Sequence, residues 1–273
     1  MSQKYAGAIP QLGLGTYGRT GDAGVAVLLK AIEIGYRHLD TAQSYDTEQP
    51  VGEAIRRSGL PRDVFFLTTK VADTKLDKAS FLPSVEASIE TLGVGPPDLL
   101  LIHWPSEKNR VPVEDYILAL ALAQQRGLTR LIGVSNFPIA LLERTESLLG
   151  KGAISTNQVE IHPYLQAPKL RDYARSKNLP LTAYRPLTKG EVQDDPVLKR
   201  IALGHGVTTS AVSLAFLMAE GHIVIPSSGN VLNLKANMAA SGVQLTSQEM
   251  EAIRALDRGY RSVNPEKSPA WDD

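Results

Sequence analysis

The hexapeptide GLGTYG, Gly13 to Gly18, decides between two folds. It reads as G-x-G-x-x-G, and Asp40 closes the run RHLD roughly twenty residues later, the spacing of a Rossmann fingerprint. That fingerprint needs its third glycine to open a helix, because the pyrophosphate sits on the helix N-terminus. Here RTGD follows Gly18, and helical periodicity begins only near Asp22. The Rossmann reading is therefore out of place. Gly13 and Gly15 are left either for close strand packing or to make room for a ligand, and Asp40 is free for chemistry.

Strand-like and helix-like segments alternate along the whole chain. Short β-rich runs stand at QLGLGTY, RHLD, FFLTTK, LLLIHW, RLIGVSN, TNQVE, LTAYRP and HIVIPS. Between them, Val25, Leu28, Leu29 and Ile32 fall at helical steps, as do Leu82, Val85, Ile89 and Leu92. Asp22 and Asn136 stand where N-caps are wanted, and Pro138 suits a first helical turn. Gly93, Gly127 and Gly150 follow last apolar positions, as C-terminal glycines do. LLLIH is apolar on successive residues, as expected of a parallel strand covered on both faces. The strand ends at Thr16, Asp40, Lys70, His103, Ser135, Gln158, Tyr184 and Pro226 are mostly separated by roughly 25 to 35 residues, one strand-plus-helix unit each. The pattern predicts a single-domain α/β protein over residues 1–273, a (β/α)8 TIM barrel. DPVLKRIA and TSAVSLAFLMAE supply one extra helix before the last strand.

Composition narrows the function. The 273 residues carry 29 basic and 29 acidic side chains, so no long-range field favours nucleic acid or an anionic membrane. There is no cysteine, and the five histidines lack HxxxH or HxH spacing, so no disulfide or metal site is expected. MSQKYAGAIPQ has no apolar leader core, and YILALALAQQ is too short to span a bilayer. A soluble, cytoplasmic, monomeric protein acting on a small molecule is expected, without nucleic acid or membrane partners.

In a barrel the C-terminal strand ends share one site, which places Asp40, Lys70 and His103 together with Tyr45 in the loop after Asp40. The set makes chemical sense as a unit. A free phenol, with a pKa near 10, is too weak an acid to be a matched proton donor at neutral pH. An ammonium beside it stabilises the phenolate and lowers that pKa, and a carboxylate holds the ammonium charged. His103 can hydrogen-bond a substrate oxygen. Taken singly, Asp40 and Lys70 read as a structural ion pair and His103 as a core histidine.

The ordered motifs LDTAQSYDTEQPVGEAI, FLTTK, LIHWP, GVSNF and NQVEIHPY resemble the aldo-keto reductases, in particular the bacterial branch with 2,5-diketo-D-gluconate and methylglyoxal reductases. The resemblance runs from about Ile9 to the C-terminus. It implies nicotinamide bound at the C-terminal face of the barrel, with Tyr45 as proton donor, Lys70 and Asp40 tuning it, and His103 orienting the carbonyl. It implies Ser135, Asn136 and Gln158 on the carboxamide and Tyr184 under the nicotinamide ring, with Thr16, Pro186 and Leu187 also at the cofactor. Tyr17 and Trp104 would line the substrate wall beside Tyr45 and His103.

The chain departs from the family at the adenosine end. IPSSGNVLNLKANM has Ser227 where many relatives carry lysine and Asn233 where they carry arginine. NADPH is the expected cofactor and NADH the alternative. Ser228 and Asn230 remain as hydrogen-bonding groups there, Asn237 matches an adenine-contacting position, and Lys235 is within sequence reach. Arg185 stands where the family usually has serine, and is expected on the pyrophosphate, on an anionic substrate, or as a solvated arginine of the rim. Substrates are expected to be small aldehydes, α-dicarbonyls or keto sugars in an open pocket, with NPEKSPAWDD folding over its mouth. Two rival readings are a non-catalytic nicotinamide sensor and a Lys70 Schiff-base aldolase, the latter needing a neutral lysine.

Overall fold

A computed structural model describes residues 9–272; residues 1–8, which begin the stretch scanned above for a leader, and Asp273 lie outside the described residues. In chain order the elements are β1 (Leu14–Gly15), α1 (Gly21–Ile34), β2 (His38–Asp40), α2 (Glu48–Arg57), β3 (Phe66–Val71), α3 (Phe81–Leu92), β4 (Leu99–Ile102), α4 (Val113–Gln125) and β5 (Leu131–Ser135). There follow α5 (Ile139–Leu149), β6 (Asn157–Glu160), α6 (Pro168–Ser176), β7 (Leu181–Tyr184), α7 (Pro196–His205), α8 (Thr209–Ala219), β8 (Ile223–Val224), α9 (Val231–Ala239) and α10 (Ser247–Arg254). Each of the eight β-rich runs contains a strand, and the extra helix between β7 and β8 is present.

The strands form one curled parallel sheet in sequence order, β1 to β8. Leu12, ahead of β1, makes a parallel bridge with Val224 of β8. Gly13 N donates to Val224 O at 2.8 Å and Gly15 N to Pro226 O at 3.0 Å, so the segments that carry the first and last strands also hydrogen-bond. Strand side chains alternate in direction, and β4 shows the result. Leu100 and Ile102 join the cluster shared with α3 and α4, whereas Leu99 and Leu101 pack with Ile9, Phe66, Leu131 and Ile223. A fully buried leucine contributes about 1.5–3 kcal/mol, so both faces of the sheet drive folding. Among the described residues, no single helix is long and apolar enough to cross a membrane.

The opening motif resolves as strand and turn. Gly13 and Gly15 pack closely: a Cβ on Gly13 would lie 2.6 Å from His38 Nδ1, and one on Gly15 would lie 3.0 Å from Ile225 O. Gly18 turns the chain with φ 77°, and α1 starts three residues later. Two expected N-caps are corrected. Thr20, not Asp22, is the N-cap of α1, and Asp22 lies in its first turn. Pro138, not Asn136, is the N-cap of α5, because the Asn136 side chain is bound to His103 and Tyr184 instead. Gly93 and Gly150 do terminate α3 and α5.

Gly13→Ala is expected to destabilise the protein by about 1–3 kcal/mol through overpacking against the His38 ring, read as a lowered urea midpoint with an unchanged slope.

Candidate functional site

The parallel register pairs Asp40 at the end of β2 with Thr68, so Lys70 lies one side-chain repeat further along the same face of β3. The Lys70 ammonium has 0% exposure and bonds the Asp40 carboxylate, which is 2% exposed. It also donates to Thr41 O at 2.8 Å. The second Asp40 oxygen accepts from Gln158 Nε2 at 2.7 Å. Both carboxylate oxygens are therefore occupied, as a buried ion pair requires.

Tyr45 ends the short 3-10 turn Gln43–Tyr45. Gln43 pins that turn from both ends of its amide, donating to Ser84 O at 3.0 Å and accepting from Ala72 N at 2.9 Å. The Lys70 nitrogen lies 4.9 Å from the Tyr45 ring centroid. The Tyr45 hydroxyl is 3.3 Å from His103 Nε2, and Ser44 Oγ is 3.2 Å from His103 Nδ1. Asp40, Tyr45, Lys70 and His103 are thus brought together. Tyr17 stands edge-on to Tyr45 at 5.2 Å, largely exposed.

Charge states follow from burial and neighbours. Burial alone would lower the Lys70 ammonium, but Asp40 and the Tyr45 phenol outweigh it and raise its pKa. A lysine held this firmly as a cation opposes the Schiff-base reading. Burial raises the Tyr45 phenol above the ordinary tyrosine range, while Lys70 pulls it down and Asp40 pushes it up. The expected lowering by Lys70 is present, but the expected net decrease is corrected, because desolvation of the phenolate is larger. Burial, then Lys70 and Lys267, drive the His103 pKa well down, so its ring is neutral at pH 7.

The residues expected at a carboxamide form a network with each other. Ser135 Oγ donates to Gln158 O at 2.8 Å. Asn136, in a left-handed backbone conformation at φ 63°, donates to His103 O at 2.9 Å and accepts from the Tyr184 hydroxyl at 2.9 Å. Thr16 is buried, its hydroxyl on Asp40 O at 3.0 Å. Pro186 O accepts from Ser213 Oγ at 3.0 Å, and Leu187 packs on the core. Ser227, Asn230 and Asn233 are exposed, Ser228 is half-buried and Asn237 is buried. Asn230 caps α9, accepting from Leu232 N at 2.8 Å and Asn233 N at 3.3 Å.

Arg185 is not a solvated rim arginine. It is half-buried, with Nη1 3.2 Å from Ser262 Oγ. Ser262 and Val263 in turn donate their amides to Glu160 at 3.0 and 2.9 Å. The C-terminal segment continues across the rim. Lys267 pairs with Asp73 at 2.8 Å, Trp271 meets the buried Trp104 edge-on at 6.2 Å, and Asp272 accepts from Ile139 N at the start of α5 at 2.9 Å. Sequence reading missed Gln43, Ser44, Glu160 and Ser262. Apart from His162 beside Glu160, their partners are distant in the chain, so no local pattern marks those contacts.

The sequence profile described as the Aldo/keto reductase family matches residues 11–258. The methylglyoxal reductase DkgB of Salmonella typhi is 44% identical over 265 residues, 97% of this chain and 99% of that protein. A solved structure assigned as a 2,5-diketo-D-gluconic acid reductase B is 39% identical with a TM-score of 0.92, covering 97% of this chain and 94% of the other. A mutant of Gox0644 in complex with NADPH is 33% identical with a TM-score of 0.87, covering 95% and 94%.

Asp40→Asn, which strands a buried cation, is expected to cost about 3–5 kcal/mol in chemical denaturation, with part of the loss recovered in the double variant Asp40→Asn/Lys70→Met. Acid should also destabilise the fold. The unfolded chain protonates its histidines near pH 6.5, whereas folded His103 and His222, the latter pushed down to about 4 by burial, resist. The unfolded state then holds more protons, so stability falls as pH drops below 6.5. Urea midpoints between pH 7 and 5 should show that slope, shallower in His103→Gln.

Proposed function

This chain belongs to the aldo/keto reductase family, and on that premise we propose that it reduces α-dicarbonyls, small aldehydes and keto sugars to alcohols with NADPH. It is a nicotinamide-dependent carbonyl reductase; the roles of its residues and its substrate class are our reading. We read the parallel sheet as a closed (β/α)8 barrel in one domain, supported by the hydrogen bonds between the segments of β1 and β8.

The observation that carries the mechanism is the Tyr45 hydroxyl 3.3 Å from His103 Nε2, with its ring 4.9 Å from the Lys70 nitrogen. A carbonyl oxygen placed by both groups receives a hydrogen bond from neutral His103 and the proton of Tyr45. The raised phenol pKa keeps that proton on Tyr45 until negative charge develops on the oxygen. Lys70 then faces the phenolate left behind, and Asp40 keeps Lys70 a cation. Bound nicotinamide supplies hydride to the carbonyl carbon.

The residues present fit such a cofactor by their donor set. Gln158 uses its amide nitrogen on Asp40, which leaves its oxygen to accept from a carboxamide. Asn136 and Ser135 lie beside it, and Tyr184, fastened through its hydroxyl, offers a ring face. Thr16, Arg185, Pro186, Leu187, Ser227, Ser228, Asn230, Asn233 and Asn237 complete the proposed cofactor set, with Arg185 acting through the tie to Ser262. Tyr17 and Trp104 form the substrate wall. The relatives named methylglyoxal reductase support a small α-dicarbonyl substrate. Trp271, edge-on to Trp104 at 6.2 Å, adds a ring from the C-terminal segment to that wall.

Tyr45→Phe is expected to slow the loss of NADPH absorbance with methylglyoxal by about 10²–10⁴-fold while NADPH still binds in a fluorescence titration. Turnover at the wild-type rate would remove Tyr45 from the proposed role.

A further inference from the structure

The segment from Ser227 to Asn237 offers one cation, Lys235, and that residue is exposed. Nor does the N-terminus of α9 present its amides freely, because Asn230 already accepts from Leu232 N and Asn233 N. A phosphate monoester bound there would lack the charge-assisted donors that such a dianion favours.

A cation reaches this segment from the other end of the chain. Arg19 lies in the turn that closes the GLGTYG motif, and its guanidinium packs against Gly229. A Cβ built on Gly229 would lie 3.0 Å from Arg19 Nη1 and 3.3 Å from its Cζ. The φ of Gly229 is not in the left-handed region. Its want of a side chain therefore serves the approach of the guanidinium and not a turn. Arg19 Nε is buried without a hydrogen-bond partner. No carboxylate among the described residues pairs with the guanidinium, although Asp22 is only three residues away.

The backbone that carries Arg19 is held firmly. Arg19 N donates to Thr16 O at 2.9 Å, Gly18 turns at φ 77°, and Gly24 N donates to Thr20 O at 3.0 Å. A Cβ on Gly24 would lie 2.1 Å from the Arg19 carbonyl oxygen, so the first turn of α1 lies directly against that carbonyl. An arginine so placed, forked and unpaired, is preorganised for an oxyanion.

We infer that Arg19 grips the phosphate monoester on the adenosine ribose of NADPH, so that the loop after β1 sets the choice of cofactor. This rests on the reductase reading above. Ser228 and Asn230 would border the phosphate, and Arg19 would supply its positive charge.

The test is fluorescence titration of wild type, Arg19→Leu and Arg19→Gln with NADPH, NADH and adenosine 2′,5′-bisphosphate, with circular dichroism melts to check folding. Both variants are expected to lose roughly 10- to 100-fold in affinity for NADPH and the bisphosphate, the worth of a charge-assisted hydrogen bond. NADH affinity should stay unchanged. The fall of NADPH affinity with added salt should also be steeper in wild type. Equal weakening of NADPH and NADH, or no weakening of either, overturns the inference while leaving the reductase reading intact. Wild type that binds neither dinucleotide overturns both.

Discussion

The ion pair between Asp40 and Lys70 is the constraint on which the site depends. Both groups are removed from water, and an isolated charge so placed would neutralise or refuse to fold. The pair persists because each partner has further hydrogen bonds: Thr41 O accepts from the ammonium, and Gln158 donates to the carboxylate. These contacts draw on β2, β3, β6 and the loop after β2. Lys70 in turn sets the electrostatics of Tyr45 and His103. It opposes the effect of burial on the phenol and adds to it on the imidazole, so one residue is held as an acid and the other as a neutral donor.

Around this pair, polar groups that burial would otherwise penalise are joined in a chain. Tyr184 binds Asn136, Asn136 binds the His103 carbonyl and Ser135, and Ser135 binds Gln158. These side chains come from or adjoin β4 to β7. Preorganised groups on strand ends hold their geometry better than groups on free loops. The C-terminal segment works differently. Glu160 is a buried carboxylate that burial would push up, yet donors from His162, Ser262 and Val263 hold its pKa below the ordinary range. That charge fastens a long irregular segment across the rim and leaves the Trp271 ring against Trp104.

Glycine illustrates how one motif can mislead. GLGTYG has the letters of a phosphate-binding fingerprint, but Gly13 is small because His38 is close, and Gly18 is glycine because its φ is positive. What told against the fingerprint was the delay before α1. N-caps were read less well. Asp22 and Asn136 have good capping chemistry, but capping is worth only about 1 kcal/mol. A tertiary partner can outweigh it, and the Asn136 side chain is taken by the His103 carbonyl, the Tyr184 hydroxyl and its neighbour Ser135.

The chain's order of elements was decided by the sequence itself. Apolar runs at β spacing, helical stripes between them and glycines after last apolar positions are local signals, and burial on both sheet faces makes them strong. The identity of Asp40, Tyr45, Lys70 and His103 as one group was also legible, because the C-terminal ends of parallel strands lie at one side of a sheet. Only tertiary structure decided the sign of the net pKa shift at Tyr45, since desolvation is set by everything packed around a group. It alone decided that Arg185 holds Ser262, that Gln43 positions the Tyr45 turn, and that Arg19 meets Gly229. Those contacts join residues far apart in the chain, where no periodicity or local preference operates.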